Sequence, residues 1–319
     1  MRSRSLAPWA ALAVITVGAL VAAAVVDRTV DPPAAPSGDG ATSGAGARTE
    51  AWAAVADLDA RLAPDSANPC ERGDAECLDA VVAEMQARLE AQGCAHTAPF
   101  AFTYLEMTRG VRDAVRAPAY FDDPAAAAHA DALFARLYFD AFDDWAAGRE
   151  DEVPGAWRLA FGAAERDTPN AATDLLLGMN AHISRDLAYV VADIAAWQQE
   201  GEQANDDFER VNDVIARVKG PMLQGSADRF DPTLALLDLP LPALAASDSV
   251  DLIGTWRDQA LEHGIRLSQA STDAERAAVE GEIERDAMAT AVVLLDLGTT
   301  LPSPIAGAAR DAYCEAQRS

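Results

Sequence analysis

This chain is poor in basic charge. A single lysine, Lys219, accompanies scattered arginines, so 25 Lys and Arg face 51 Asp and Glu and the formal net charge is −26. Nucleic-acid affinity is supplied by clustered Lys and Arg, so a nucleic-acid partner is disfavoured. The same acidic surface is repelled by anionic lipid headgroups, which restricts membrane contact to the N-terminal segment. Histidine is equally scarce, with four residues, too few for a multi-metal cluster built from many imidazoles. Strand-like alternation between hairpin turns is missing, and the Ala-rich runs have low strand propensity. No internal repeat of roughly 20–50 residues is visible, which argues against a solenoid. The fold class expected from these absences is all-α.

Half of the 319 residues are apolar, enough for one large core in a single domain behind a tether. Arg2 and Arg4 precede an apolar run from Leu6 to Val26, broken only by Pro8, Thr16 and Gly18. Its length of about 20 residues is that of a bilayer span, whereas signal-peptide cores are usually shorter. The nearest small-x-small site, Ala22 to Ala24, lies inside the run, so an uncleaved anchor is favoured over a cleaved signal. No Cys follows the run, which argues against lipoprotein processing. Either way the body is placed outside the cytoplasm, anchored or secreted. The expected organisation is a leader over 1–30, a Pro/Ala/Gly/Ser linker over 31–48 that cannot order itself, and a helical domain of about eight to ten helices over 49–319.

Cys70, Cys77, Cys94 and Cys314 form an even set that fits an oxidising compartment. Of the three possible pairings, Cys70 with Cys77 and Cys94 with Cys314 are favoured. A zinc site would need finger-like spacings that these cysteines lack.

Helix punctuation is plentiful. Asp74 opens an amphipathic stretch that Gly93 stops. A further helix follows Pro99, Asp123-Pro124 opens another that Gly148 closes, and Val153-Pro154 and Thr168-Pro169 open two more, the latter running to about Glu200. A helix from about Glu202 ends at Gly220-Pro221, the Pro-rich stretch from Asp231 to Pro242 holds a short helical turn, and Ser249 and Thr272 cap two final long helices.

The stretch best suited to chemistry is Leu175 to Leu187. Four-residue spacing places His182 beside Asp186, with Tyr189 and Asp193 continuing the polar stripe next to an apolar one. The pair can serve as two ligands of one divalent metal ion, as a general base with its orienting carboxylate, or as a structural hydrogen bond with Asn180 satisfying groups nearby. Asn212, seven residues from Asn205 on a core-facing border, suggests a bond to the preceding helix. Arg158, between Trp157 and Phe161, either pairs with a carboxylate or stands at the mouth of a pocket containing His182 and Asp186. His96, two residues past Cys94, reads as a capping or core-edge group, and His129 and Asp131 as structural members of apolar stripes. His263 beside Gly264 reads as a cation at a helix C-terminus.

The blocks Cys94-Ala-His-Thr-Ala-Pro-Phe100, Val153 to Phe161, Leu177 to Leu187 and Asp207 to Asn212 together resemble an actinobacterial domain-of-unknown-function family, number 5995. The likeness spans roughly Ala51 to Ser319 and implies a helical fold with a common site at Asn180, His182 and Asp186, but no reaction. His182-Ile-Ser-Arg-Asp186 also matches the His-x-x-x-Asp element of helical zinc-dependent phospholipases C, which implies at most a reduced, single-metal site here. Two functions follow: a binding or structural envelope domain for a protein or small molecule, and, as the alternative, a metal-dependent or acid-base hydrolase.

Overall fold

The computed structural model describes residues 53–56, 58, 62–166, 170–197, 203–238, 249–300 and 307–318. Among these there is no strand, and the all-α expectation holds. The leader and linker, residues 1–48, lie outside the described residues. No helix of the described residues is long and apolar enough to cross a membrane.

After a short helix α1 (Ala53–Ala56) come α2 (Ala75–Gln92), α3 (Ala98–Arg116), α4 (Pro124–Ala146) and α5 (Gly155–Glu165). The next rod joins α6 (Ala171–Asn180), a π-helical segment (Ala181–Asp186) and α7 (Leu187–Trp197). The chain continues through α8 (Gln203–Arg229), a 3-10 turn (Pro232–Asp238), α9 (Ser249–Gln269), α10 (Asp273–Thr300) and α11 (Ala308–Arg318).

The starts are chemically legible. Asp123 accepts a hydrogen bond from the Ala126 amide at 2.9 Å, satisfying one of the donors that a helix N-terminus leaves open. At α10, Glu275 accepts from the Ser271 and Thr272 amides while Thr272 Oγ1 accepts from the Glu275 amide, a reciprocal capping box.

Three expectations are corrected. The cap of α6 is Asn170, whose side chain accepts from the Thr173 amide, while Thr168 and Pro169 lie outside the described residues. Pro221 does not end α8, which continues to Arg229. A proline removes one backbone donor, and burial of Met222, Leu223 and Ala227 on the continuing face outweighs that loss. Gly264 does not stop α9 either, so His263 sits inside the helix, its Nε2 3.5 Å from Asp286. A Cβ at Gly264 would meet the Val191 Cβ at 2.5 Å and the Ala188 carbonyl oxygen at 2.6 Å; the glycine lets α9 press against α7.

Helices α2, α3 and α4 pack together, α3 also carries α8, and α10 lies along α5, α6 and the π segment. The main core holds Leu78, Leu105, Leu133, Phe139, Trp157, Leu175 and Leu177, all under 3 % exposed. A second cluster, with Leu187, Val191, Ala260, Leu267 and Ile283, joins α7, α9 and α10.

Both favoured disulfides are formed, Cys70–Cys77 and Cys94–Cys314, and none of the described cysteines is free. They point to an oxidising compartment. The first closes a separation of 7 residues and the second of 220, tying α11 to the loop after α2. Loop-closure entropy predicts that removing Cys94–Cys314 as a Ser pair lowers unfolding free energy by about 5 kcal/mol, against about 2.5 kcal/mol for Cys70–Cys77. Denaturant titration of the two variants checks the order, and equal losses would show that entropy of the unfolded chain is not the dominant effect.

Candidate functional site

The rod from Ala171 to Trp197 changes pitch where the polar residues lie. The Leu187 amide reaches back five residues to the His182 carbonyl, the wide turn of a π-helix, a form often found at functional sites. His182 and Asp186 still meet, with Nδ1 3.1 Å from Oδ2.

Asp186 is wholly buried. The Trp157 indole N–H donates to its Oδ2 at 2.8 Å and the Arg185 guanidinium to its Oδ1 at 2.6 Å. Burial works against its charge, but the His182 hydrogen bond and Arg185 together hold the carboxyl below its ordinary range. Arg185 is fixed in turn by Glu284 at 2.6 Å and lies over the Tyr189 ring. For His182, 2 % exposed, burial prevails over the Asp186 bond and pushes the imidazole down. A neutral ring facing a carboxylate carries its proton on Nδ1 and donates it there. Nε2 is then a bare acceptor, buried and without a hydrogen-bond partner.

His182 also lines a cavity of about 420 Å³. Its walls come from α3, α4, α6, the π segment, α7, α8 and α9, and they are mostly hydrocarbon and aromatic ring. The imidazole is stacked on Phe134 with centroids 3.5 Å apart, and Tyr104 meets it edge-to-face at 4.3 Å. The polar exceptions in the lining include Asp131 of α4, Tyr104 and Thr103 of α3, and Arg257 of α9. Thr103 is committed, its hydroxyl donating to the Phe100 carbonyl at 2.9 Å. Asp131 Oδ2 has no partner, and burial alone pushes this carboxyl up to about 7. The Tyr104 phenol is pushed well up by burial first and then by the charges of Asp131 and Asp186.

The residues expected at one site therefore separate. His182 faces the cavity, Asp186 stands behind it, and Asn180 is a brace whose Nδ2 donates to the Ala287 carbonyl at 2.9 Å. Tyr189 lies under Arg185, outside the cavity wall. Arg158 is not at the pocket mouth: its Nη1 donates to the Glu150 carbonyl at 3.3 Å. Asn212 bonds forward, not back, accepting from Arg257 Nε at 2.7 Å. His96 bridges Asp174 at 3.0 Å and Asp311 at 3.3 Å next to the Cys94–Cys314 bond, holding α11 in place. His129 bonds the Cys70 carbonyl at 2.8 Å. Among the described residues no group of three or more His, Cys, Asp and Glu is placed to hold a metal ion. The oxygens of Asp186 already take Trp157, Arg185 and His182, so the pair does not fit a metal-ligand role.

Sequence reasoning missed Asp131 and Arg257 as cavity groups. Arg257 interrupts the four-spaced apolar series Ile253, Leu261 and Ile265, a pattern that puts a cation on a buried face.

Asp131 supplies a pH test. Its folded value near 7 exceeds the unfolded value of 3.8, so the folded state holds the proton more tightly and its stabilising contribution is lost as pH rises from 4 through 7. Relative to the native chain, Asp131→Asn is expected to gain on the order of 3 kcal/mol between pH 4 and pH 8. Urea unfolding at the two pH values measures it, and a constant difference would place the carboxyl in contact with solvent.

Compared with curated proteins and with solved structures, the chain finds no match. The model of a family of unknown function (DUF5995) matches residues 78–297, which takes in α3 to α9, every element of the cavity wall, together with most of α2 and of α10. With that match covering more than half of its length, the chain belongs to the DUF5995 family.

Proposed function

We propose that the protein is a binding protein that holds one small, mainly hydrocarbon molecule in the cavity, with the polar part of the ligand turned to the few polar groups of the wall, His182 among them. The observation that carries this reading is an apolar space of about 420 Å³ lined by His182, whose ring is oriented from behind by Asp186 and whose Nε2 has no hydrogen-bond partner. Ligand sites are concave, mostly apolar, some 300–1,000 Å³ in size, and fixed by a few polar groups. Protein interiors otherwise tolerate few voids larger than a water molecule. By the volume coefficient of engineered cavities, an occupant filling this space would gain up to about 10 kcal/mol of packing. A ligand hydroxyl donating to Nε2 would satisfy the one ring nitrogen the protein leaves bare.

Location belongs to the same proposal. Two disulfides and the apolar N-terminal run support a domain outside the cytoplasm, anchored or secreted. Its acidic surface leaves lipid contact to that run.

A second reading keeps the hydrolase alternative, because a neutral imidazole backed by a carboxylate is the geometry of a general base. It needs an electrophilic centre within reach of Nε2 and a water or hydroxyl to activate.

Titration with a neutral fluorescent hydrophobic probe is expected to saturate at one site per chain. Ala130→Trp, which fills the cavity from α4, should abolish probe binding without lowering the melting temperature. Dodecanol should displace the probe more tightly than dodecane, and His182→Phe should erase that preference. A probe that binds Ala130→Trp as well as the native chain sinks the cavity reading. Ester hydrolysis that is present in the native chain and absent in His182→Phe would favour the hydrolase instead.

A further inference from the structure

Besides His182, the cavity wall holds Asp207, already bound by the Asp122 and Asp123 amides and by Arg210, and two further groups of opposite sign, Asp131 and Arg257, that differ in what the protein can do about their charge. Asp131 can take up a proton near neutral pH and become a neutral carboxylic acid. Arg257 has no such exit. Burial lowers its guanidinium only to about 10, and it stays charged at any physiological pH.

Arg257 is 5 % exposed. Its Nε donates to Asn212 Oδ1 and its Nη2 to the Phe208 carbonyl, both at 2.7 Å, and its guanidinium lies 4.2 Å above the Phe208 ring. Every one of those contacts is neutral. Nη1 has no partner among the described residues. The other buried arginines behave differently: Arg88 is paired with Glu84 and Asp143, and Arg310 with Asp311. In a chain with twice as many acids as bases, a buried arginine that feels Glu209 and Asp258 only at a distance, with no ion pair to either, departs from the expected pairing. A buried cation left unpaired is costly, and a counter-ion that arrives with a ligand removes the cost. Nor does Arg257 pair with Asp131, whose upward shift owes nothing to any neighbouring charge.

Building on the cavity reading above, we propose that the ligand is an anionic amphiphile: a hydrocarbon chain packed along the cavity, with a carboxylate or phosphate head that accepts from the free Nη1 edge of Arg257. Asn212 and Phe208 hold the guanidinium in a fixed plane, which suits the fork geometry of such heads. The overall negative charge does not forbid this, because exposed charges are screened beyond about 8 Å at physiological ionic strength, while the guanidinium acts at contact.

The test is displacement of the neutral probe by a matched series, dodecanol, dodecanoate and dodecyl phosphate, at pH 8. On the native chain at least one of the two anions should bind about tenfold or more tighter than the alcohol, and the tighter one names the head. Arg257→Met should bring the anions down to the level of the alcohol while leaving alcohol binding within about twofold, since only the charge-assisted contact is removed. Arg158→Met, outside the cavity, should change neither. Anions that bind no better than the alcohol to the native chain overturn the proposal, as does an anion preference that survives Arg257→Met. The native-chain comparison decides the matter even if Arg257→Met does not fold. A probe that fails to bind at all sinks the cavity reading itself, a separate result from alcohol binding without anion preference.

Discussion

The structure is organised around one buried carboxylate. Asp186 has no access to solvent, and its charge persists because an indole, a guanidinium and an imidazole, from α5 and from two turns of its own rod, all converge on it. A buried anion without such partners would be unfavourable by several kcal/mol. Those partners fix where α5 crosses the rod, where the rod lies against α10 through Arg185 and Glu284, and which nitrogen His182 leaves bare. Orientation of the imidazole is thus a consequence of how the fold keeps Asp186 ionised.

The same arrangement separates a polar back from an oily front. Behind the rod, Asn180 and Arg185 reach α10 through hydrogen bonds and an ion pair. In front, the His182 ring lies flat on Phe134 and opens onto hydrocarbon. A wide π turn allows both, since one added residue per turn rotates the faces that the flanking α-helical segments present. Close approach of α9, permitted by Gly264, brings Leu261 and Ile265 to the wall of the space. The cavity is therefore bounded by contacts fixed independently of its contents.

Inside it, the polar groups have different physical characters. His182 is neutral and accepts, Asp131 exchanges its charge near neutral pH, and Arg257 keeps its charge throughout. A wall that is otherwise hydrocarbon gives each of these a strong local effect, because low dielectric surroundings magnify both satisfied and unsatisfied polar contacts.

Local chemistry made much of this readable from the residues alone. Asp123 before Pro124 and Thr272 three positions before Glu275 fix helix starts through contacts within one turn. Cysteine number and compartment logic favoured the two disulfides that form, and four-residue spacing brought His182 to Asp186. What sequence could not decide depends on residues far apart in the chain. The π turn, the passage of α8 through Pro221 and the burial of Gly264 are all set by packing against other helices, which overrides local preference. Asp131 and Arg257 face one cavity only because α4 and α9 are brought to the same space, and the displacement of Arg158 from it follows from how α5 turns. Capping and spacing are short-range and belong to the sequence; an internal space is a relation among seven elements, and only the assembled fold defines it.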